Sequence, residues 1–134
     1  MYLVRSRKTR GGAIIETVAG LFVMVPIILF MIDGIAMVLA QTANDALAKK
    51  CARAAASEPD QPKAAAAVSN VISGFSSPVL TNVTANITSF DAASTVRVQT
   101  QVTFVFPVQV PIVGATSQIF VADATAPGGG APPP

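Results

Sequence analysis

The chain has 134 residues, 51% hydrophobic and 12% charged, and its mean hydropathy of +0.57 is too high for an ordinary soluble domain. The formal net charge is +2, but beyond residue 40 the five cations Lys49, Lys50, Arg53, Lys63 and Arg97 are matched by Asp45, Glu58, Asp60, Asp91 and Asp123, which leaves no basic face for a phosphate backbone and excludes nucleic acid as an expected partner. With no His, no Trp, a single Cys, no Gly-rich phosphate loop and no metal-ligand spacing, the chain does not read as an enzyme, and no catalytic, cofactor or metal site is expected.

Residues 1–11 form a polar leader carrying Arg5, Arg7, Lys8 and Arg10. Residues 12–40 read as a transmembrane helix, because across 13–40 the only charged side chains are Glu16 and Asp33. That stretch is about 42 Å long as a helix, against roughly 30 Å of hydrocarbon. The leader cations stay on the cytoplasmic side, so the N-terminus is expected inside and the rest of the chain outside. Pro26 removes one hydrogen bond within the span, which membrane helices tolerate. Asp33, about 25 Å beyond Glu16 along a helix, is expected among the outer headgroups, snorkelled or locally hydrogen-bonded, with a polar contact to a partner helix as the alternative.

Glu16 is the unusual residue. A carboxylate this close to hydrocarbon costs about 2.5 kcal/mol or more unless it is paired or neutralised. One reading has it snorkel to the inner headgroups at the start of the helix, where the macrodipole favours an anion.

Nothing breaks the helix over 41–57, and its alanine content favours continuation into water. Asp45, Lys49 and Arg53 recur every four residues on one side, with an Asp45–Lys49 pair expected. Ala43, Leu47, Cys51, Ala54 and Ala55 take the other, which is suited to support a small sheet. A lone cysteine forms no intramolecular disulfide, and Cys51 reads as a small buried hydrophobe.

The block Arg10-Gly11-Gly12-Ala13-Ile14-Ile15-Glu16 resembles the prepilin-peptidase site of type IV pilins. More narrowly, the chain is similar to the TadE-like minor pilins, or pseudopilins, of the tight-adherence type IVc pilus system. Val25-Pro26, Ile32-Asp33-Gly34 and Cys51-Ala52-Arg53-Ala54-Ala55 match that family's habits. The resemblance is close over roughly residues 8–57 and loose beyond, and Thr17 stands where the family usually has an aromatic residue. It implies cleavage between Gly11 and Gly12. Glu16 then becomes the fifth residue of the mature chain and pairs with the new amino group of a neighbouring subunit, which sets register. It also implies the bacterial inner membrane as location, and as partners membrane lipid, other pilin subunits, a pilus assembly platform and a prepilin peptidase.

Residues 58–125 are expected to form a small outer domain. Pro59 and Pro62 mark a turn, and a short helix over 63–73 ends at Gly74. The period then changes to two. In residues 95–106, Val96, Val98, Thr100, Val102, Phe104 and Phe106 share one face, which predicts a half-buried strand. Partner strands are expected within 80–88, through a loop at 89–94, and over 118–125. Residues 107–114, PVQVPIVG, form an apolar loop whose contacts are left open. Residues 126–134, alanine, glycine and proline, read as a flexible tail.

The fold class expected is therefore α+β, a long transmembrane helix continuing into an amphipathic one that packs on about three antiparallel strands. The function expected is that of a minor pilin or pseudopilin in pilus assembly or initiation. Two alternatives stand beside it: a secreted binding module released by signal peptidase after Ala40, and an uncleaved single-pass membrane anchor.

Overall fold

A computed structural model describes residues 10–107 and 116–129. Its elements are α1 (Arg10–Ala56), α2 (Gln61–Ser73), β1 (Leu80–Phe90), β2 (Thr95–Val105) and β3 (Ser117–Pro127). This is the α+β layout expected, with α1 and α2 against one face of a three-stranded antiparallel sheet of order β1-β2-β3.

α1 is a single helix of 47 residues that runs unbroken through Pro26, about 70 Å from end to end. It is long and apolar enough to cross a membrane. Burial divides it in two. From Gly12 to Ile32 the side chains stand clear of the rest of the protein, with only Pro26 and Leu29 partly covered; this length is about 30 Å. From Asp33 onward one stripe is buried or half-buried: Asp33, Met37, Ala40, Asn44, Leu47, Cys51 and Ala55, at intervals of three or four. This is the spacing of one helix face. Asp45, Lys49 and Arg53 lie exposed, as expected. The Asp45 carboxylate, however, accepts from Gln41 Nε2 at 3.5 Å, and ion pairs among the described residues join other groups.

The chain turns after Ala56. α2 starts at Gln61, two residues earlier than the sequence suggests, because Pro62 in the first turn needs no partner for its missing N–H. Gly74 follows the helix at φ −83°, an ordinary right-handed conformation. Ala64 and Val68 carry α2's buried contacts.

β2 is the central strand, and Val96, Val98, Thr100, Val102 and Phe104 on its inner face are all fully buried. The predicted alternation holds there, with Phe106, just past the strand, half-buried. β1 extends to Phe90, so the turn is shorter than expected, at 91–94. Within it Asp91 Oδ1 accepts from Ala93 N at 3.0 Å, a side-chain turn that asparagine and aspartate favour. β1 breaks register twice, and Asn82, at φ 49°, lies in the first break, a left-handed position that Asn tolerates better than most residues. β3 pairs with β2 continuously from Ser117 to Pro127. Residues 126–129 are therefore held rather than flexible: Gly128 N donates to Ser94 O at 2.9 Å and Gly129 N to Ala56 O at 3.0 Å. A Cβ at Gly128 would run into the carbonyl of Ala92, so this approach requires glycine. Of the apolar loop at 107–114, all but Pro107 lies outside the described residues.

Inside the interface of α1 and β2 one polar contact crosses the core. Thr100 Oγ1 donates to Asn44 Oδ1 at 2.9 Å, with both residues fully buried. Asn44 Nδ2 has no partner. Thr100→Val removes the bond and leaves the amide wholly unsatisfied, which should cost about 1–3 kcal/mol. Asn44→Leu combined with Thr100→Val should recover most of that loss. Thermal unfolding of the full chain in detergent, followed by circular dichroism, checks both, and equal stability of the single and double variants would count against a penalty from the amide.

Candidate functional site

The residues singled out for function belong to α1 or to the leader before it. Arg5, Arg7 and Lys8 lie outside the described residues. Arg10, Gly11 and Gly12 form the first turn of α1, so the expected cleavage bond falls at the helix start. Glu16 lies one turn beyond Gly12 and is exposed, and among the described residues it meets no cation. Its neighbour Thr17 turns inward on the helix, donating from Oγ1 to Ala13 O at 2.8 Å, a bond that hides the hydroxyl from an apolar surrounding.

Above Glu16 the helix presents large apolar side chains on every side, among them Leu21, Met24, Ile28 and Met31, with Phe22 as much as 80% exposed. In an isolated protein such a surface would be an extreme liability. Each of these side chains gains roughly 1.5–3 kcal/mol on leaving water, so the chemistry open to this surface is partition into lipid or packing among other apolar helices. Gly34 and its neighbours Met31, Ile35, Val38 and Leu39 form a shallow apolar notch on the side turned away from the sheet.

Asp33 is 6% exposed and lies on the stripe shared with Met37, Ala40 and Asn44, so it is covered by the protein and does not stand free to snorkel. Sequence spacing marks this stripe only once its burial further along is known. Ala40 is 2% exposed and packs in the core, and Ala36 and Met37 pack against that core. Removing residues 1–40 would therefore strip one end of the domain's own helix, which weighs against release after Ala40.

Sequence reasoning did not single out Asn44. The signal was present, in that an amide stands seven residues before Cys51 and four after Ala40 on an otherwise apolar stripe, but periodicity gave it no partner. Among the described residues no group of three or more His, Cys, Asp or Glu side chains is placed to hold a metal. Comparison with known protein families, with curated proteins and with solved structures finds no match.

Cys51 is fully buried, and desolvation raises its thiol above the ordinary value. Two effects thus act against alkylation: the sulfur is covered, and less of it is thiolate. Iodoacetamide at pH 8 should modify the folded chain at least about tenfold more slowly than the urea-unfolded chain. Intact mass measured over time checks this, and equal rates would place the thiol at the surface.

Proposed function

We propose that the chain is a membrane-anchored minor pilin or pseudopilin that takes part in assembling or initiating a tight-adherence type pilus. The observation that supports this best is the uncovered half of α1. About 30 Å of apolar helix starts at a Gly11-Gly12 pair, holds one acid a single turn later, and continues without a joint into the helix that carries the folded domain. A plain anchor needs the length and the apolar surface but has no use for Glu16. An assembling subunit does, because only a similar neighbour brings a cation to that depth.

In this reading the chain sits in the bacterial inner membrane with Arg5, Arg7, Lys8 and Arg10 inside and the domain outside. A prepilin peptidase cuts after Gly11. The new amino group at Gly12 neutralises Glu16 of an adjacent subunit and fixes the stagger between helices. Other pilin subunits and a membrane assembly platform are the partners, and the subunit itself contributes packing rather than catalysis.

Intact mass and N-terminal sequencing of the protein from its host's membranes test the processing step. A start at Gly12 is expected. A start at Met1 would leave an uncleaved anchor, and a start at Gln41 a secreted module. For the pairing step, Glu16→Ala should leave membrane insertion unchanged and reduce assembled filaments about tenfold or more, since it leaves the neighbouring amino group unpaired, and an unpaired charge at this depth is worth more than one decade in an equilibrium. Normal piliation in that variant would remove Glu16 from the mechanism.

A further inference from the structure

Two contacts fix the height of the sheet against α1. Thr100 bonds to Asn44, and Gly129 N bonds to Ala56 O. Thr100 is paired in register with Ala122, so β3 rises in the same direction as α1 and β2 descends. From the Asn44–Thr100 level the helix drops about 1.5 Å per residue and a strand about 3.3 Å. Ile35, Val38 and Leu39 then lie about 7–14 Å below that level, and Val121, Ile119 and Val105 about 3–17 Å below it.

These six side chains span overlapping depths on opposite sides of the domain. On the back of α1, Ile35, Val38 and Leu39 are 60%, 66% and 64% exposed. On the outer face of the sheet, Val105, Ile119 and Val121 are 39%, 57% and 48% exposed, at positions where a half-buried sheet ordinarily shows polar residues.

Charge is distributed to match. The chain has no Asp, Glu, Lys or Arg between Lys63 and Asp91 or between Arg97 and Asp123. On α1 there is none between the buried Asp33 and Asp45. Arg97, Asp123 and Asp91 all stand on the far side of the Asn44–Thr100 level, toward the turn at 91–94. The charged groups at the end of α1 and the start of α2 stand there too. The half of the domain nearer the bare helix is thus free of exposed charge, and lowering it into an interface desolvates none.

We propose that this charge-free half is seated in the outer headgroup layer, so that lipid covers both apolar patches at once. A single helix from another protein covers one patch and leaves the other wet, whereas a membrane plane meets both and is continuous with the bare segment below. With Glu16 at the inner boundary, hydrocarbon of about 30 Å ends near residue 36 and the headgroup layer reaches roughly to residue 40, which takes in Val38, Leu39 and Ile119, sets Ile35 and Val105 at the top of the acyl region and leaves Val121 at the outer rim. The proposal rests on the membrane-spanning reading of α1 and does not depend on pilus assembly.

The test places an environment-sensitive fluorophore on cysteines introduced singly by Val25→Cys, Val38→Cys, Ile119→Cys and Thr125→Cys. The full chain is reconstituted in vesicles of phosphatidylcholine and phosphatidylglycerol, with and without nitroxide-bearing lipids. Buried Cys51 stays in place, and the unsubstituted chain serves as the blank. Labels at 38 and 119 should both lose about half their emission to headgroup nitroxides, while the label at 125 is unaffected and the one at 25 responds to acyl-chain nitroxides. Quenching at 38 without quenching at 119 would overturn the proposal and leave the domain standing clear of the bilayer. Labels at 38 and 119 that are shielded from water but not reached by lipid quenchers would also overturn it, in favour of a protein partner. An unquenched label at 25 would remove the spanning reading itself.

Discussion

The contact between the small-residue stripe of α1 and the inner face of β2 is the constraint on which the rest of the structure depends. Ala40, Ala48, Ala52 and Ala55 are buried in one core with Leu47, Cys51 and the β2 valines, and such small side chains let the helix lie close to what it packs on. Close approach of this kind tolerates few polar atoms. The Asn44–Thr100 bond is the exception, and it determines which turn of the helix meets which residue of the strand. A slip of one helical turn would leave both side chains buried without their bond, so the pair acts as a register lock where alanine alone would permit sliding.

The same helix serves two surroundings with no joint between them. Below Asp33 it is apolar on every side apart from Glu16, the exposed side stays apolar as far as Leu39, and only beyond Ala40 is the helix apolar on one side alone. Because α1 is continuous, the depth and rotation of its lower half dictate where the domain sits, and a load on one half is felt by the other. The domain's core supports this coupling, since Phe104, with Phe106 at 5.0 Å and Phe120 at 5.7 Å between ring centres, gathers at the end nearest the bare helix. The far end holds Phe90 and is closed by backbone bonds from Gly128 to Ser94 and from Gly129 to Ala56.

The exposed ion pairs among the described residues add little to folding. The ion pairs Lys63–Asp60 at 3.5 Å and Arg97–Asp123 at 3.6 Å join side chains that are well exposed, and exposed pairs contribute at most about 1 kcal/mol. What charge does is sort the molecule by surroundings. Cations crowd the leader, and apart from Glu16 and the buried Asp33 the remaining charges collect at the end of the domain farthest from it.

The sequence alone determined the bare helix, the amphipathic stripe beyond it and the alternation of β2, because each is a local period imposed by a single boundary between apolar and polar surroundings. It marked Glu16 as an acid set close to an apolar run, and Leu47 and Cys51 as core by their spacing. Tertiary structure alone decided three further matters. Asp33 is covered, since a residue on the seam between two halves of a helix belongs to both patterns and only the folded chain chooses. Asn44 found Thr100, since a bond across 56 positions leaves no mark in either local period. Residues 126–129, which read as tail by composition, became fixed because the end of α1 and the turn at 91–94 offer them backbone partners, and such partners exist only once the chain has closed on itself.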